Sequence, residues 1–427
     1  MTLIDRGALT CPKLADYFLQ AVKPRDRFLV GTEVEKLGVD AVTGAPIPYE
    51  GAGASVRGVL EHLHARRGGD AIFEGDHLIG LDGPWGTISL EPGGQVEWSS
   101  RPADRLAILG TQLKEHLEAM QQAGSSLGIR WLEAAVDPEN PVSKMPWMPK
   151  ARYKIMRRYL GQRGRLAHRM MTQTTSIQCA FDFESAEDWA RKFRAGALLA
   201  PITVALFANS SRVDGAESGY RSFRQAIWRE TDPDRCGLPE IVFDPGFDIE
   251  AWVEWACDVP AIFLQKARGL VDARGVPFRK LLSRVGCEGV SLEDWELQLS
   301  CIFTEVRSYS YIEVRSADMQ PDRLIFSVPS FWTGILYHPD ALAAALDLGA
   351  SHSRYDVWRE AMDQAAQLGL AGKAGGRSLR ELATRALGLA AYGLRHGAAT
   401  VSEPEEAAAP LAILARELGL DLEETQR

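Results

Sequence analysis

The chain has no C-x-x-C pair. Its six cysteines, Cys11, Cys179, Cys236, Cys257, Cys287 and Cys301, are scattered over 427 residues. That usage excludes a disulfide framework and points to reduced thiols in a cytoplasmic protein. No stretch approaches ~18 uninterrupted apolar residues, so no membrane span is expected. The opening MTLIDRGALTCPKL lacks both a basic patch leading into an apolar run and a small-residue cleavage site, so no signal peptide is expected. Positive charge is the scarcer sign, 48 Lys and Arg against 57 Asp and Glu, for a net charge of −9. This argues against a nucleic-acid coat or a binder of anionic membranes, while leaving room for a local basic pocket. There is no G-x-x-x-x-G-K-[ST], and "GAGASVRG" (51–58) carries Val56 where G-x-G-x-x-G needs its third glycine. A bound nucleotide is therefore held by neither a Walker loop nor a Rossmann turn. No G-x-S-x-G or catalytic-cysteine signature occurs, and no internal repeat is visible.

What is present describes an ordinary globular chain, 46% hydrophobic and 25% charged. Its length exceeds one ordinary domain but suits one large one. Helical spacing marks 13–23, 55–67, 105–124, the segment opening at "SAEDWARKF" and 293–303. In the fourth of these, Ser185 is placed as an N-cap with acids in the first turn. Period-two alternation marks strands at 28–40, 175–184 and 309–318, and "TISLEPGGQVEWSS" reads as a hairpin with glycines in its turn. Residues 340–427 read as Ala/Leu-rich helices around a Gly-rich turn, "LAGKAGGRS". The pattern predicts an α+β fold with a mainly antiparallel sheet. Residues 1–340 form its main body, and 341–427 a helical segment packed on it.

The strands share an anomaly. Residues i and i+2 of a strand lie on one face, which pairs Glu33 with Glu35, and Glu313 with Arg315 and Tyr311. Glu91 and Glu97 join them if the hairpin turn keeps register. Gln178 alternates with apolar Ile177 and Cys179. One such pair is most simply a solvated half-sheet. Three pairs, in strands that also carry Gly, Tyr and Arg, point to a face whose like charges need cations between them. Hard divalent cations, Mg²⁺ or Mn²⁺, suit oxygen ligands. Zinc is disfavoured because His and Cys are not clustered, and His62 and His64 are badly spaced on one helix. Opposite charge gathers at 152–169, seven Lys/Arg and no acid, and at 220–237, which holds Arg221, Arg224, Arg229 and Arg235. A solvated helix face, a nucleic-acid contact and an anion pocket all remain open for the first. In the second, Arg224 lies between Phe223 and Ile227–Trp228, while "TDPD" is turn chemistry.

Eight ordered blocks then carry a resemblance: "VGTEVEKLGVD", "EGDHLIGL", "ISLEPGGQVEWS", "MPKARYKIM", "FRQAIWRETDPDRCG", "LEDWELQLSCIFTEVR", "YIEVRSAD" and "PSFWTGILY". From Phe28 to Tyr337, about three quarters of the chain, the sequence resembles the plant-type glutamate–cysteine ligases, a type that also occurs in bacteria. The resemblance implies a glutamine-synthetase-like fold, a curved, mainly antiparallel sheet of about six strands forming a funnel with helices outside. It implies ATP-dependent ligation of L-glutamate, through a γ-acyl phosphate, to L-cysteine. The product, γ-glutamylcysteine, opens the synthesis of glutathione or a related thiol. It further implies Mg²⁺, with Mn²⁺ possible, small-molecule substrates only, no nucleic acid, no membrane, and a monomer or homodimer.

Glu33, Glu35, Glu91, Glu97 and Glu313 fall on the family's acidic positions facing metal and phosphates, Glu35 also serving the nucleotide. Arg152 and Arg224 fall on the arginines for the glutamate carboxylates, with Gln178 and Trp228 beside the substrate. Arg315 faces the transferred phosphate and, with Glu313, is the catalytic candidate. Three departures stand out. Gln173 and Thr175 replace part of an Arg-Thr-Cys run. "SADMQPDRL" replaces a Gly-rich loop, so the altered stretch covers 318–323. Cys287 meets Ala273 where the plant enzymes have a redox pair. The first two leave open a relative with another acceptor amine, and a non-catalytic nucleotide-binding relative is the remaining alternative.

Overall fold

Alternating side chains build the central sheet. In the computed structural model, which describes residues 9–51, 53–282 and 289–422, "VGTEVEK" forms β1 (Val30–Lys36), with Val34 fully buried and Glu33 and Glu35 half-open. Seven strands join it: β2 (Asp70–Glu74), β3 (His77–Gly83), β4 (Gly86–Leu90), β5 (Val96–Ser99), β6 (Ser176–Phe181), β7 (Val306–Ser308) and β8 (Ile312–Asp318). Their order is β7-β8-β6-β1-β5-β4-β3-β2, and every neighbouring pair is antiparallel. The sheet is open rather than closed, and it has eight strands where about six were expected. The β2–β3 hairpin and β7 lie outside the strands marked by alternation, and exposed Ile72 and Phe73 blur the alternation of β2.

The β4–β5 hairpin turns at Glu91–Gly94, with the Gly94 amide donating to the Glu91 carbonyl at 3.0 Å. Its glycines are required. Gly94 has φ +89°, and a Cβ on Gly93 would lie 2.2 Å from the Thr172 carbonyl oxygen. The turn is thereby pressed onto the helix that ends at Gln173.

Apolar faces of helices cover the other side of the sheet. Trp98, on β5, stacks on His116 of α1 (Leu106–Leu127) with ring centroids 4.7 Å apart. α2 (Ala151–Leu160) and α3 (Ala167–Gln173) carry the basic run. α4 (Ala186–Leu206) starts at the expected cap, where the Ser185 hydroxyl accepts from the Asp188 amide. α5 (Phe223–Arg229) follows. Near the C-terminus, α6 (Ser327–Leu336) crosses α7 (Leu379–Arg395) in close contact, a Cβ on Gly334 falling 2.1 Å from the Ala390 carbonyl oxygen. One cluster of buried apolar residues runs from Cys11 to Leu420, so the C-terminal helices share the core with the sheet.

Boundaries shifted in several places. The expected strand at 28–40 breaks after Lys36, and Gly38–Asp40 pairs separately with Ile129–Trp131. The helix expected at 293–303 spans only Leu292–Leu299. "LAGKAGGRS" contains a small hairpin, Lys373–Ala374 against Arg377–Ser378. Among the described residues no helix is long and apolar enough to cross a membrane.

Candidate functional site

Register puts the charged residues on one face. Glu35 lies directly opposite Glu97 across β1–β5, and Glu33 opposite Gln178 across β1–β6. Ser89 lies opposite Glu97, so Glu91, two residues further, shares that face. Glu313 on β8 lies opposite Arg307 on β7, and a register shift between Val314 and Ala317 interrupts the β8–β6 ladder at Arg315.

A cavity of about 240 Å³ opens on this face. It is lined by nine of the ten candidate residues: Glu33, Glu35, Glu91, Glu97, Arg152, Gln178, Arg224, Trp228 and Arg315. The tenth, Glu313, lines a neighbouring cavity of about 350 Å³ that shares Glu33 and Gln178 with the first. The structure thus gathers the whole set, but in two chambers with Glu313 behind the arginines.

The half on β6, β7 and β8 is internally paired. The Glu313 Oε2 accepts from Arg307 Nε at 2.8 Å and from Arg315 Nη1 at 2.7 Å. Arg315 Nη1 also donates to the Gln178 side-chain oxygen, and Gln178 Nε2 donates to Glu35 Oε1 at 3.0 Å. Burial alone would raise the Glu313 carboxyl, yet Arg307 and Arg315 hold it below the usual range. Arg224 comes from α5, whose N-cap Ser222 accepts from the Gln225 amide. It donates to the Arg315 carbonyl at 3.1 Å and lies 3.8 Å from Asp318. Arg152, from α2, lies over Phe263 at 5.5 Å, and its Nε is buried with no partner.

The half on β1, β4 and β5 is not neutralised. Its carboxylates are held mainly by neutral donors: Glu35 by the Ser176 amide at 2.8 Å and by Gln178, Glu97 by the Ser89 hydroxyl at 2.9 Å. Burial, with Glu97 and Glu91 nearby, raises the Glu35 carboxyl to about 8. Burial and Glu91 raise Glu97 to about 7. Burial, Glu97 and Glu313 push Glu33 well above the carboxylate range.

The donor set, all oxygen, fits Mg²⁺ or Mn²⁺ in kind and charge. Among the described residues no three His, Cys, Asp or Glu side chains converge into a finished ligand cage.

Most of the basic run at 152–169 is spent on local pairing. Arg158 pairs with Asp272, Arg163 with Asp232 and Asp234, Arg165 with Glu230, and Arg169 with Asp214. Arg157 lies over Trp147 at 4.3 Å, leaving Arg152 as the cation that reaches the cavity. Of the 220–237 cluster only Arg224 lines it; Arg235 is buried against Asp232 at 2.7 Å. The departures at Gln173 and 318–323 lie off the cavity lining. Gln173 bridges the Asn140 carbonyl and Arg169, and Gln320 donates to the Phe207 carbonyl. Cys287 lies outside the described residues, and Ala273 is buried.

Sequence reasoning missed Arg307, Tyr309, Phe303 and Tyr153 among the lining residues. A signal for Arg307 existed: "EVR" occurs twice, at 305–307 and 313–315. The second copy was read as a site and the first was not.

Comparison with known proteins gives a consistent result. The family model described as glutamate-cysteine ligase family 2 matches residues 29–422. The chain is 39% identical over 346 residues to a protein of Medicago truncatula named glutamate–cysteine ligase, chloroplastic, covering 80% of this chain and 67% of that one. It is also 39% identical over 346 residues to the Arabidopsis thaliana protein of the same name, covering 80% and 66%. It thus spans about two thirds of the length of these relatives. Among solved structures, a Francisella tularensis glutamate–cysteine ligase in complex with AMP superposes with a TM-score of 0.55 at 13% identity, covering 92% of this chain and 82% of that one. At that identity the likeness establishes the fold.

Proposed function

This chain belongs to glutamate–cysteine ligase family 2, and from that premise we propose that it joins the γ-carboxyl of L-glutamate to the amine of L-cysteine at the expense of ATP. The observation that carries the reading is one cavity in which four carboxylates, Glu33, Glu35, Glu91 and Glu97, face four arginines, Arg152, Arg224, Arg307 and Arg315. Phosphoryl transfer needs positioning and charge stabilisation more than covalent help from the protein, and this arrangement supplies both.

In our reading the nucleoside of ATP lies in the larger chamber, past Gly31, Ser100 and Tyr311, and its phosphates cross Glu33 into the smaller one. Glu33, Glu35, Glu91, Glu97 and Glu313 would hold Mg²⁺ or Mn²⁺, which when bound offsets phosphate charge. Arg152, Arg224 and Trp228 receive glutamate. Arg152 has an unsatisfied buried Nε, and Trp228 an unsatisfied buried indole N–H, donors that a carboxylate would satisfy. Arg315, fixed by Glu313 and Gln178, meets the phosphoryl group as it moves to the γ-carboxylate. The cysteine amine then attacks the acyl phosphate carbon, and phosphate leaves. Residues 1–340 carry every group named, which supports treating that part as the catalytic unit. The five described cysteines are all unpaired, which supports a cytoplasmic setting.

The test is ADP release by the purified chain with Mg²⁺ and ATP. It should require L-glutamate and L-cysteine together and yield γ-glutamylcysteine by mass. Equal ADP release with another amine, and indifference to cysteine, would reject cysteine as the acceptor.

A further inference from the structure

Behind the arginine end of the cavity lies a small pocket of about 20 Å³, bounded by Glu305, Gln225, Trp228, Arg224 and Arg315. That is room for one water-sized or ammonium-sized group. Two unsatisfied polar atoms occur among its walls. The Glu305 carboxylate is buried; its Oε1 accepts from Gln225 Nε2 at 3.1 Å, and its Oε2 has no partner. The Trp228 indole N–H is buried and equally unsatisfied. An unpaired buried carboxylate oxygen is costly, so its persistence calls for a cation or donor that arrives with a ligand.

The neighbours restrict which ligand that is. A free metal ion would be repelled by Arg224 and Arg315 beside it. A simple anion would satisfy Arg224 and Trp228 but be repelled by Glu305. A group carrying both charges on adjacent atoms satisfies all of them, and the head of an α-amino acid is such a group. The reacting amine of the second substrate is a poor occupant, because it must lose its proton and reach the γ-carboxyl beside the acid-rich half of the sheet.

We propose that Glu305 receives the α-ammonium group of the donor amino acid, while Arg224 and Trp228 receive its α-carboxylate, so that Glu305 selects an α-amino diacid over a plain diacid. The inference rests on the ligase reading above and adds a residue that sets substrate choice. The backbone supports the placement, since the Arg315 amide donates to the Glu305 carbonyl at 3.0 Å. The residue that reads the amine is thus tied to the one that meets the phosphoryl group.

The experiment measures ADP release at saturating ATP, Mg²⁺ and L-cysteine, with L-glutamate or glutarate varied, for the wild-type chain and Glu305→Gln. Glutarate lacks only the α-amino group. Wild type should strongly prefer glutamate. Glu305→Gln should lose about 10- to 100-fold in kcat/KM for glutamate, mostly through KM, the loss of a charged hydrogen bond. Its kcat/KM for glutarate should hold steady. A purely structural role would depress both substrates alike, and that result overturns the proposal. So does wild-type protein that uses glutarate as well as glutamate, an outcome that does not depend on how the variant folds. Wild type that releases no ADP with glutamate and cysteine together would instead reject the ligase reading itself.

Discussion

Two halves of one sheet face carry the same residue type in opposite states. On β8, Glu313 is held low by two arginines. A few strands away, Glu35 and Glu97 stand opposite each other and are driven up to about 8 and about 7. Glu313 is the most buried of the three and Glu35 and Glu97 are half-buried, so burial alone would raise Glu313 too, and the opposite direction comes from its partners. In the arginine half, Glu313, Arg307, Arg315 and Gln178 are already held to one another and are therefore preorganised. The acidic half is incomplete, which is the condition of a surface that awaits cations brought with a substrate. The first should govern rate at the moment of transfer, the second the capture of metal and nucleotide.

The sharpest way to break this contrast is Arg315→Lys. Lysine keeps the charge but not the fork that spans Gln178 and Glu313. If the paired half acts as a preset clamp, ADP release should fall about 100- to 1,000-fold, the usual cost of one oriented donor to a developing charge. The KM for glutamate should move little. Unchanged turnover, measured by coupled ADP assay, would mean that the paired half is scaffold only.

Glu35→Gln probes the other half, and two readouts should move in opposite directions. Metal-dependent turnover should drop about 10- to 100-fold, the range that even outer partners of a bound metal cost. At pH 8 the ligand-free protein should melt at a higher temperature, because one member of a repelling pair is gone. A melting point that falls with turnover would show Glu35 to be an ordinary structural residue.

This contrast was partly legible in the sequence. Period-two spacing put Glu33 with Glu35 and Glu313 with Arg315 on common faces, because a strand's side-chain period is fixed locally. The Glu35–Glu97 opposition was not legible, since it depends on which strands pair and in what register, a long-range property. Across the β4–β5 hairpin Glu97 faces Ser89, and its opposed acid is Glu35 on β1 rather than Glu91. The β2–β3 hairpin was hidden because an edge strand with exposed Ile72 and Phe73 has no buried face to betray it. Glu305 escaped notice for a related reason. Glu305 lies outside any strand, just before β7, and only the fold turns it toward Gln225 and Trp228.

The smallest expected effect is also the most direct test of incompleteness. The ordinary glutamate value is 4.5, whereas in the fold Glu97 keeps its proton to about 7 and Glu35 to about 8. Between those limits the folded chain binds more protons than the unfolded chain, so stability falls as pH rises. The contribution of these groups is full below pH 4.5 and is lost as pH passes 7 and then 8. The ligand-free protein should therefore melt at a progressively lower temperature from pH 5 to pH 8. Mg²⁺ with ATP should recover most of that loss at pH 8 and little at pH 5, where the carboxyls are still protonated and bind no cation. Glu313, already paired, predicts the reverse for its own half: its stabilisation is present above pH 4.5 and vanishes only in stronger acid. Scanning calorimetry across pH, with and without Mg²⁺ and ATP, separates the two. A melting temperature flat from pH 5 to pH 8, with a metal effect equal at both ends, would mean that the acids of β1 and β5 are compensated within the protein after all.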